Sequence, residues 1–255
     1  MRGKLVEQDP SDEPAAELLK RIALERSGQV KGGKAKKLQQ LPEPDLEMAP
    51  FELPTGWVWG RFPELGTFGR GKSKHRPRND PALFEGGDHL LIQTGDVARS
   101  RGVIETYTNK YNDFGLSQSL KWPRGTLCIT IAANIADSGI LSFEACFPDS
   151  VVGFVPASMF DNARYFEYFV RTAKANLLEF APATAQKNIN LEILSQVLIP
   201  LPPLAEQSRI VARVDELMAI CDQLEAQITE TEQDSRRFLE AVLIEALSPD
   251  LAGAA

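Results

Sequence analysis

The sequence is poor in cysteine and histidine, on which most metal centres and many catalytic sites depend. Its 255 residues include three cysteines and two histidines. Cys128, Cys146 and Cys221 lack metal-ligand spacing and stand in apolar contexts, which predicts buried, reduced thiols rather than a disulfide framework. The sequence also lacks a clustered His, Cys and carboxylate pattern and a nucleophile motif. It therefore predicts no metal site and no catalytic residue.

Long apolar runs are also missing. Hydrophobic residues make up 43% of the chain, but no run approaches the roughly 18 consecutive apolar residues of a membrane span. The first ten residues are charged and contain no apolar signal-peptide core. These features predict a globular protein of the cytoplasm.

Excess positive charge, the usual mark of a nucleic-acid-binding protein, is missing from the whole chain, whose net charge is −7. Residues 1–50 carry nine basic and nine acidic residues, and residues 51–200 carry fifteen of each. Residues 201–255 carry four basic and eleven acidic residues, which accounts for the entire excess. A local basic surface on the neutral middle part is therefore compatible with DNA binding.

One such basic surface is predicted from residues 70–78, called here the first basic segment. It contains His75 and five cations in nine positions, with no acidic residue among them: Arg70, Lys72, Lys74, Arg76 and Arg78. We interpret it as a flexible loop that reaches DNA phosphates and base edges.

The same region matches a nucleotide-binding P-loop pattern at residues 66–73 (GTFGRGKS). A P-loop needs a buried strand before it and a helix that starts at its lysine, Lys72. Pro63 and charged residues precede the pattern, and Pro77 and Pro81 follow it. Because these prolines oppose a helix, the sequence argues against a nucleotide site.

Two further segments carry candidate DNA contacts. Arg99 and Arg101, the second basic segment, follow a Gly-Asp turn in which Asp96 is expected to bind its own backbone. Residues 186–188 combine amides suited to adenine edges with a cation, and Asn190 either joins them or caps the segment that follows. These three residues are Gln186, Lys187 and Asn188.

Prolines are absent from residues 204–248, which predicts one long helix after the hinge IPLPPL. Pro200 allows residues 198–201 to form an edge strand at most. Apolar residues then recur at alternating intervals of four and three, the pattern of a coiled-coil seam, interrupted by Thr231 and Ser235. The seam consists of Ile210, Val214, Leu217, Cys221, Leu224, Ile228, Phe238 and Val242. It predicts either a partner helix or a helix lying across its own core.

The predicted fold class is α+β, a globular domain followed by a long coiled-coil-forming helix. The predicted parts are residues 1–50 (a short helix at 14–27 and a linker), 51–200 (the α+β domain), 201–248 (the long helix) and 249–255 (a tail). Within the α+β domain, the pattern predicts a helix at 163–178 and strands at 90–94, 103–108, 126–132, 140–147 and 151–155.

With those residues in view, the chain resembles the specificity subunit of Type I restriction-modification enzymes. The resemblance rests on residues 51–59 (FELPTGWVW), 92–97 (IQTGDV), 186–189 (QKNI), 199–207 (IPLPPLAEQ) and 209–218 (RIVARVDELM), with 221–225 (CDQLE). These motifs cover nearly the whole chain. The family pattern has two target-recognition domains held apart by paired helices, whereas this sequence has one, so it resembles a half-length subunit.

The resemblance implies a non-catalytic DNA-recognition subunit that itself needs no cofactor. Its implied partners are double-stranded DNA, an adenine-N6 methyltransferase subunit that uses S-adenosylmethionine, and an ATP- and Mg-dependent restriction and translocase subunit. A single long helix with an unfilled seam further predicts pairing with a second copy, which would read a split site, or with another half subunit. The alternative from the residues alone is a protein-interaction module that oligomerises through the helix and binds no DNA.

Overall fold

The chain is built mainly from short strands, with short helices between them and one long helix at the C-terminal end. The computed structural model describes residues 2–31, 41, 49–132, 135–175, 177 and 190–247. The helices are α1 (Ala15–Lys31), α2 (Phe62–Leu65), α3 (Thr94–Arg99), α4 (Asp113–Ser117), α5 (Arg164–Ala173), α6 (Leu191–Gln196) and α7 (Leu204–Leu247), with a short 3-10 helix at Pro81–Leu83.

The strands form three sheets. The strands are β1 (Val58–Gly60), β2 (Gly66–Arg70), β3 (His89–Leu91), β4 (Gly102–Ile104), β5 (Asn109–Tyr111), β6 (Lys121–Trp122), β7 (Leu127–Thr130), β8 (Ser138–Leu141), β9 (Ala145–Cys146), β10 (Val151–Pro156) and β11 (Ile199–Leu201). The largest sheet has the order β2-β10-β7-β8-β4, a second has β5-β3-β9-β6, and β1 pairs with β11 alone. Helices and mixed sheets together confirm the predicted α+β class.

The core of the domain lies beneath the middle of the five-stranded sheet. All residues of β7 and the first four of β10 are buried, as expected for continuous apolar runs at the centre of a sheet. Phe62 and Phe166 each lie 5.0 Å from Phe154, ring centre to ring centre, in edge-to-face contacts. Aromatic pairs of this kind add about 0.5–1.5 kcal/mol each beyond the area they bury.

A glycine allows the edge strand β2 to join this sheet. A side chain at Gly66 would place its Cβ 2.1 Å from the carbonyl oxygen of Val155 in the neighbouring strand. Only glycine permits so close an approach of two backbones. β2 was not among the predicted strands, because Gly66, Gly69 and Arg70 interrupt the alternation of apolar and polar residues.

Several sequence predictions are confirmed. Helices at 14–27 and 163–178 correspond to α1 and α5, and strands at 126–132 and 151–155 correspond to β7 and β10. The strand at residues 199–201 pairs on one side only, which confirms the edge position required by Pro200. The boundaries at 50 and 200 between predicted domains stay a prediction.

Other predictions are wrong in detail. The strand expected at 90–94 ends at Leu91, since Thr94 already belongs to α3. The strand expected at 140–147 is two strands in different sheets, β8 and β9, separated by Ser142, Phe143 and Glu144. Cys128 and Cys146 are buried, and burial raises the pKa of both thiols, but Cys221 is exposed rather than buried. Continuous apolar stretches cannot show where a strand changes sheet.

The chain divides into two compact units, residues 1–211 and 212–255. Helix α7 runs through the division without interruption. In the first unit Ile210 is buried, whereas every residue from 216 to 244 in the second unit is exposed. The described helices include none that is long and apolar enough to cross a membrane.

A buried carboxylate anchors the first turn of α7. Glu206 is 1% exposed and accepts a hydrogen bond of 2.9 Å from the indole Nε1 of Trp57. Among the described residues its second oxygen has no hydrogen-bond partner. Burial raises the pKa of Glu206, and the Trp57 hydrogen bond partly opposes that rise. One turn on, Arg209 binds Asp12 at 2.6 Å, so the start of α7 is held by two different segments.

We predict that Trp57→Phe lowers the free energy of unfolding by roughly 1–3 kcal/mol, because the buried Glu206 carboxylate loses its donor. Chemical denaturation measures this effect, and Trp59→Phe, two residues along the same segment, is the control. In the Trp57→Phe background, Glu206→Gln should recover part of the loss, since it removes the buried charge. Equal effects of the two tryptophan substitutions would contradict the prediction.

The pH dependence of stability follows from the same group. A raised pKa means that folded Glu206 binds more protons than the unfolded chain does. Its contribution to stability is therefore fully present below the unfolded pKa and is lost as pH rises through the raised folded pKa. Glu206→Gln should flatten this part of the stability-pH profile, measured by denaturation at several pH values. An unchanged profile would contradict the assignment.

Candidate nucleic-acid interface

The first basic segment leaves the edge strand β2 and is tied down along its backbone. Lys72 N–H donates to Phe147 O at 3.0 Å, and Lys74 N–H donates to Gln118 O at 3.0 Å. Ser119 Oγ in turn donates to Lys72 O at 2.8 Å. Backbone hydrogen bonds thus tie Lys72 and Lys74 to other parts of the domain, and the interpretation of the whole segment as a flexible loop stays a prediction.

The structure also bears on the P-loop pattern at residues 66–73. β2 lies at the edge of its sheet, and the described residues after Lys72 contain no helix until the 3-10 turn at Pro81–Leu83. A phosphate cradle at a helix N-terminus therefore does not form there.

The side chains of the first basic segment differ in their hydrogen-bond and ion-pair partners and in their exposure. Arg78 pairs with Asp149 at 2.6 Å, and Arg70 Nε donates to the carbonyl oxygen of the same residue at 2.9 Å. Arg76 folds back onto the carbonyl oxygens of Ser73 and His75, each at 2.7 Å. Lys74, Arg76 and Arg78 are exposed, and Lys72 and His75 are half-buried.

His75 is fixed at the base of the segment. Its Nε2 lies 2.7 Å from Asp80 Oδ2, and its ring meets the ring of Phe114 edge-on, with centres 5.4 Å apart. Asp80 also accepts a hydrogen bond from Ala82 N–H, and this bond, followed by the one from His75, lowers the pKa of the carboxyl group. His75 therefore helps to fix the shape of the first basic segment in addition to being a candidate contact.

The second basic segment is organised by Asp96. This carboxylate is 2% exposed and accepts hydrogen bonds from Gln93 N–H at 2.8 Å and from the Thr108 hydroxyl. It also pairs with Arg99 at 3.0 Å. The predicted backbone-capping role of Asp96 is confirmed, although the expected tight turn is the first turn of α3.

Arg101 completes the second basic segment. It is exposed and has a φ of 46°, the left-handed region in which non-glycine residues are uncommon. Gly102, with a φ of 107°, follows it and begins β4. This strained turn places the cation at the start of the strand.

The sheet register places both basic segments at the same end of the five-stranded sheet. β2 and β7 end there, and β10, β8 and β4 begin there. The paired residues at this end, taken across the sheet, are Arg70 with Val152, Val151 with Thr130, Ile129 with Ser138 and Gly139 with Gly102. Because β2 and β4 are the two edges, four strand intervals of about 4.8 Å put the segments about 19 Å apart. We call this the basic end.

Two cations that the sequence patterns did not single out also belong to the basic end. Lys174, which follows α5, pairs with Asp137 in the connection between β7 and β8. Arg171, three residues earlier, lies 3.5 Å from the buried carboxylate of Glu167. Their spacing of three on a helix was a visible signal, but only the sheet topology shows which end they reach.

The remaining candidates divide in two. Gln186, Lys187 and Asn188 lie outside the described residues. Asn190 caps α6, since its side-chain oxygen accepts a hydrogen bond of 2.9 Å from Ile193 N–H. Of its two predicted roles, capping is the one that the hydrogen bond confirms.

The arrangement suits binding to a polyanion. Exposed lysine and arginine side chains flank the end of a rigid sheet, where phosphates can replace their present partners. In the described part of the chain, His, Cys, Asp and Glu residues form no group of three or more that is suited to holding a metal ion.

Comparison with known proteins assigns the family. The family described as "Type I restriction modification DNA specificity domain" matches residues 54–231, more than half of the chain. The chain belongs to this family. Family membership confirms the resemblance seen in the sequence, and DNA sequence recognition is the function that the family implies.

Relatives of the specificity family extend the match across the chain. The specificity subunit of the Type I restriction enzyme EcoAI from Escherichia coli is 31% identical over 95% of this chain and 42% of that protein. The EcoEI specificity subunit, also from Escherichia coli, is 30% identical over 96% of this chain and 43% of that protein. The chain thus spans about two fifths of the length of these relatives, which are specificity subunits rather than catalytic ones.

Two solved structures share the fold of this member of the specificity family. A chain from a study of complex assembly in the type I restriction-modification system has a TM-score of 0.60, with 22% identity over 92% of this chain and 54% of that one. The HsdS subunit from Thermoanaerobacter tengcongensis has a TM-score of 0.57, with 23% identity over 93% and 57%. Both support a globular domain followed by a long helix.

Proposed function

We propose that this chain is the DNA sequence-recognition subunit of a Type I restriction-modification system and that the basic end of the five-stranded sheet is its reading surface. The observation that carries the proposal is the placement of the two basic segments at opposite edges of one sheet and at the same end of it. A scattered set of surface cations would not share an end.

The spacing fits a duplex. The separation of about 19 Å between the segments exceeds the width of the major groove, about 12 Å. The segments therefore contact phosphates on both sides of the groove. Candidate contacts are Lys72, Lys74, His75, Arg76, Arg78, Arg99 and Arg101, with Gln186, Lys187 and Asn188 as flanking residues.

Catalysis then belongs to other subunits. The relatives are subunits of Type I restriction enzymes, and this supports partners that modify and cleave the DNA. The modifying partner is an adenine-N6 methyltransferase that uses S-adenosylmethionine. The cleaving partner is a translocase and nuclease that uses ATP and Mg. The chain itself holds no cofactor and positions these subunits on a split DNA site, in a system that defends the cell against foreign DNA.

Helix α7 pairs through its seam with the same helix of another copy of the chain, and that copy contributes the second reading domain. From Leu217 onward the apolar side chains of the seam are exposed to solvent. Leu224, Ile228 and Phe238, for example, are 52%, 60% and 70% exposed. Exposed apolar stripes of this length are a mark of an interaction surface. Burying them against an identical helix produces a two-fold dimer, and two copies of one reading surface recognise an inverted repeat.

The polar interruption of the seam selects a register. In an antiparallel pair whose two-fold axis lies beside Gln233, Thr231 faces Ser235 of the second copy, so polar residues meet polar residues. The same register sets Ile228 against Phe238 and Leu224 against Val242. Shifting the axis by half a heptad would bury Thr231 and Ser235 against Ile228 and Leu224 in one direction, or against Val242 and Phe238 in the other, which wastes apolar area.

We predict that replacing Lys72, Lys74 and Arg76 by alanine weakens binding of the full chain to duplex DNA and makes it less dependent on salt. Each lost phosphate contact lowers the slope of log affinity against log salt by about 0.9. Fluorescence anisotropy at several salt concentrations measures both quantities. The matched control is a triple alanine variant of Lys20, Arg21 and Arg124, which lie in α1 and before β7, outside both basic segments.

Two results would contradict the DNA assignment. If the control variant lost as much affinity and salt dependence as the test variant, the contacts would lie elsewhere. If the unaltered chain showed no salt-dependent binding to any duplex, the chain would be the protein-interaction module that oligomerises through its helix.

The proposed dimer can be tested by placing opposite charges at facing positions of the seam. We predict that Ile228→Glu and Phe238→Lys each weaken self-association at least about tenfold, because each variant buries an unpaired charge. Mixing the two variants should restore association, since the antiparallel register sets residue 228 against residue 238. Analytical ultracentrifugation measures the dissociation constants. Single variants that remain dimeric would rule out this seam, and a mixture that stays monomeric would rule out the register.

A further inference from the structure

One large apolar side chain at the basic end is not used by the core. Phe114, the second residue of α4, is 46% exposed. Its ring packs edge-on against His75 in the first basic segment, at 5.4 Å between ring centres and an angle of 78°. Single exposed apolar residues are common, so the position of this ring, rather than its exposure, is informative.

The ring is held in place from two directions. Asn112 caps α4, with its side chain accepting a hydrogen bond of 2.9 Å from Gly115 N–H. Gly115 is packed so closely that a Cβ there would lie 2.5 Å from the carbonyl oxygen of Leu83. On the other side, His75 is fixed by Asp80 at 2.7 Å. A side chain whose backbone and neighbour are both fixed presents its free edge in one direction.

The surroundings indicate what meets that edge. α4 leads into Gln118 and Ser119, which bind the backbone of Lys74 and Lys72, so phosphate-binding cations stand next to the ring. Asp113, directly before the ring, has a fully exposed carboxylate whose Oδ1 lies 3.0 Å from His89 Nε2. Its other oxygen can accept a hydrogen bond from a base amino group, whereas a carboxylate repels phosphate. A phenyl ring and a carboxylate beside a basic segment are suited to base edges.

We propose that Phe114 is a specificity-determining residue that packs against the 5-methyl group of a thymine in the major groove. This inference rests on the proposed DNA-recognition function. Phenyl contact with the thymine methyl group is one of the standard apolar readouts of the major groove.

The test compares thymine with uracil, which differs only by that methyl group. The full chain selects duplexes from a randomised library, and the selected pool is then copied once with thymine and once with uracil. We expect the unaltered chain to bind the thymine pool roughly fourfold more tightly, the value of one buried methyl group. Phe114→Ala should lose this preference while keeping its salt dependence. Leu120→Ala, at another exposed apolar residue nearby, is the control and should keep the preference.

The possible outcomes separate this inference from the function on which it rests. If no duplex is selected and binding lacks salt dependence, the DNA-recognition function fails. If duplexes are selected but the unaltered chain ignores the methyl group, the inference about Phe114 alone is overturned. It is also overturned if Phe114→Ala weakens binding to both pools equally, since that indicates a general contact. Thermal unfolding of both variants checks that each is folded.

Discussion

The hydrogen-bond register of the five-stranded sheet determines where both basic segments lie. Because β2 runs antiparallel to β10, and β4 runs parallel to β8, the end of one edge strand and the beginning of the other lie at the same end of the sheet. Close backbone approach at Gly66 lets β2 occupy its edge. A shift of register or a change of strand direction would move one basic segment away from the other.

The positive charge at the basic end comes from local groups of cations rather than from the net charge of the domain. The α+β part of the chain carries equal numbers of basic and acidic residues, yet its acidic groups Asp96 and Asp149 each bind a neighbouring arginine. The Arg78–Asp149 pair is exposed on both sides, and exposed ion pairs contribute little to stability, typically below about 1 kcal/mol. Arg78 can therefore exchange its carboxylate partner for a phosphate at little cost, so that Asp149 would orient this cation for the proposed DNA contact.

Sequence reasoning worked where the chemistry was local. A carboxylate after a Gly in a connection and an asparagine before a helix each predicted a role that depends on near neighbours. The roles of Asp96 and Asn190 as caps were confirmed for this reason. The rest depended on distant contacts: the anchoring of the first basic segment by Phe147 and Gln118, the break between β8 and β9, and the place of Lys174 at the basic end. Alternation and spacing along the chain carry no information about such contacts.

If both basic segments contact DNA together, hydrogen exchange of the full chain with and without a duplex will show it. Exchange should slow at residues 71–80 and at residues 99–103 in the same complex, while residues 123–126, at the opposite end of the sheet, are unaffected. Protection of only one segment, or protection centred on residues 123–126, would contradict the claim.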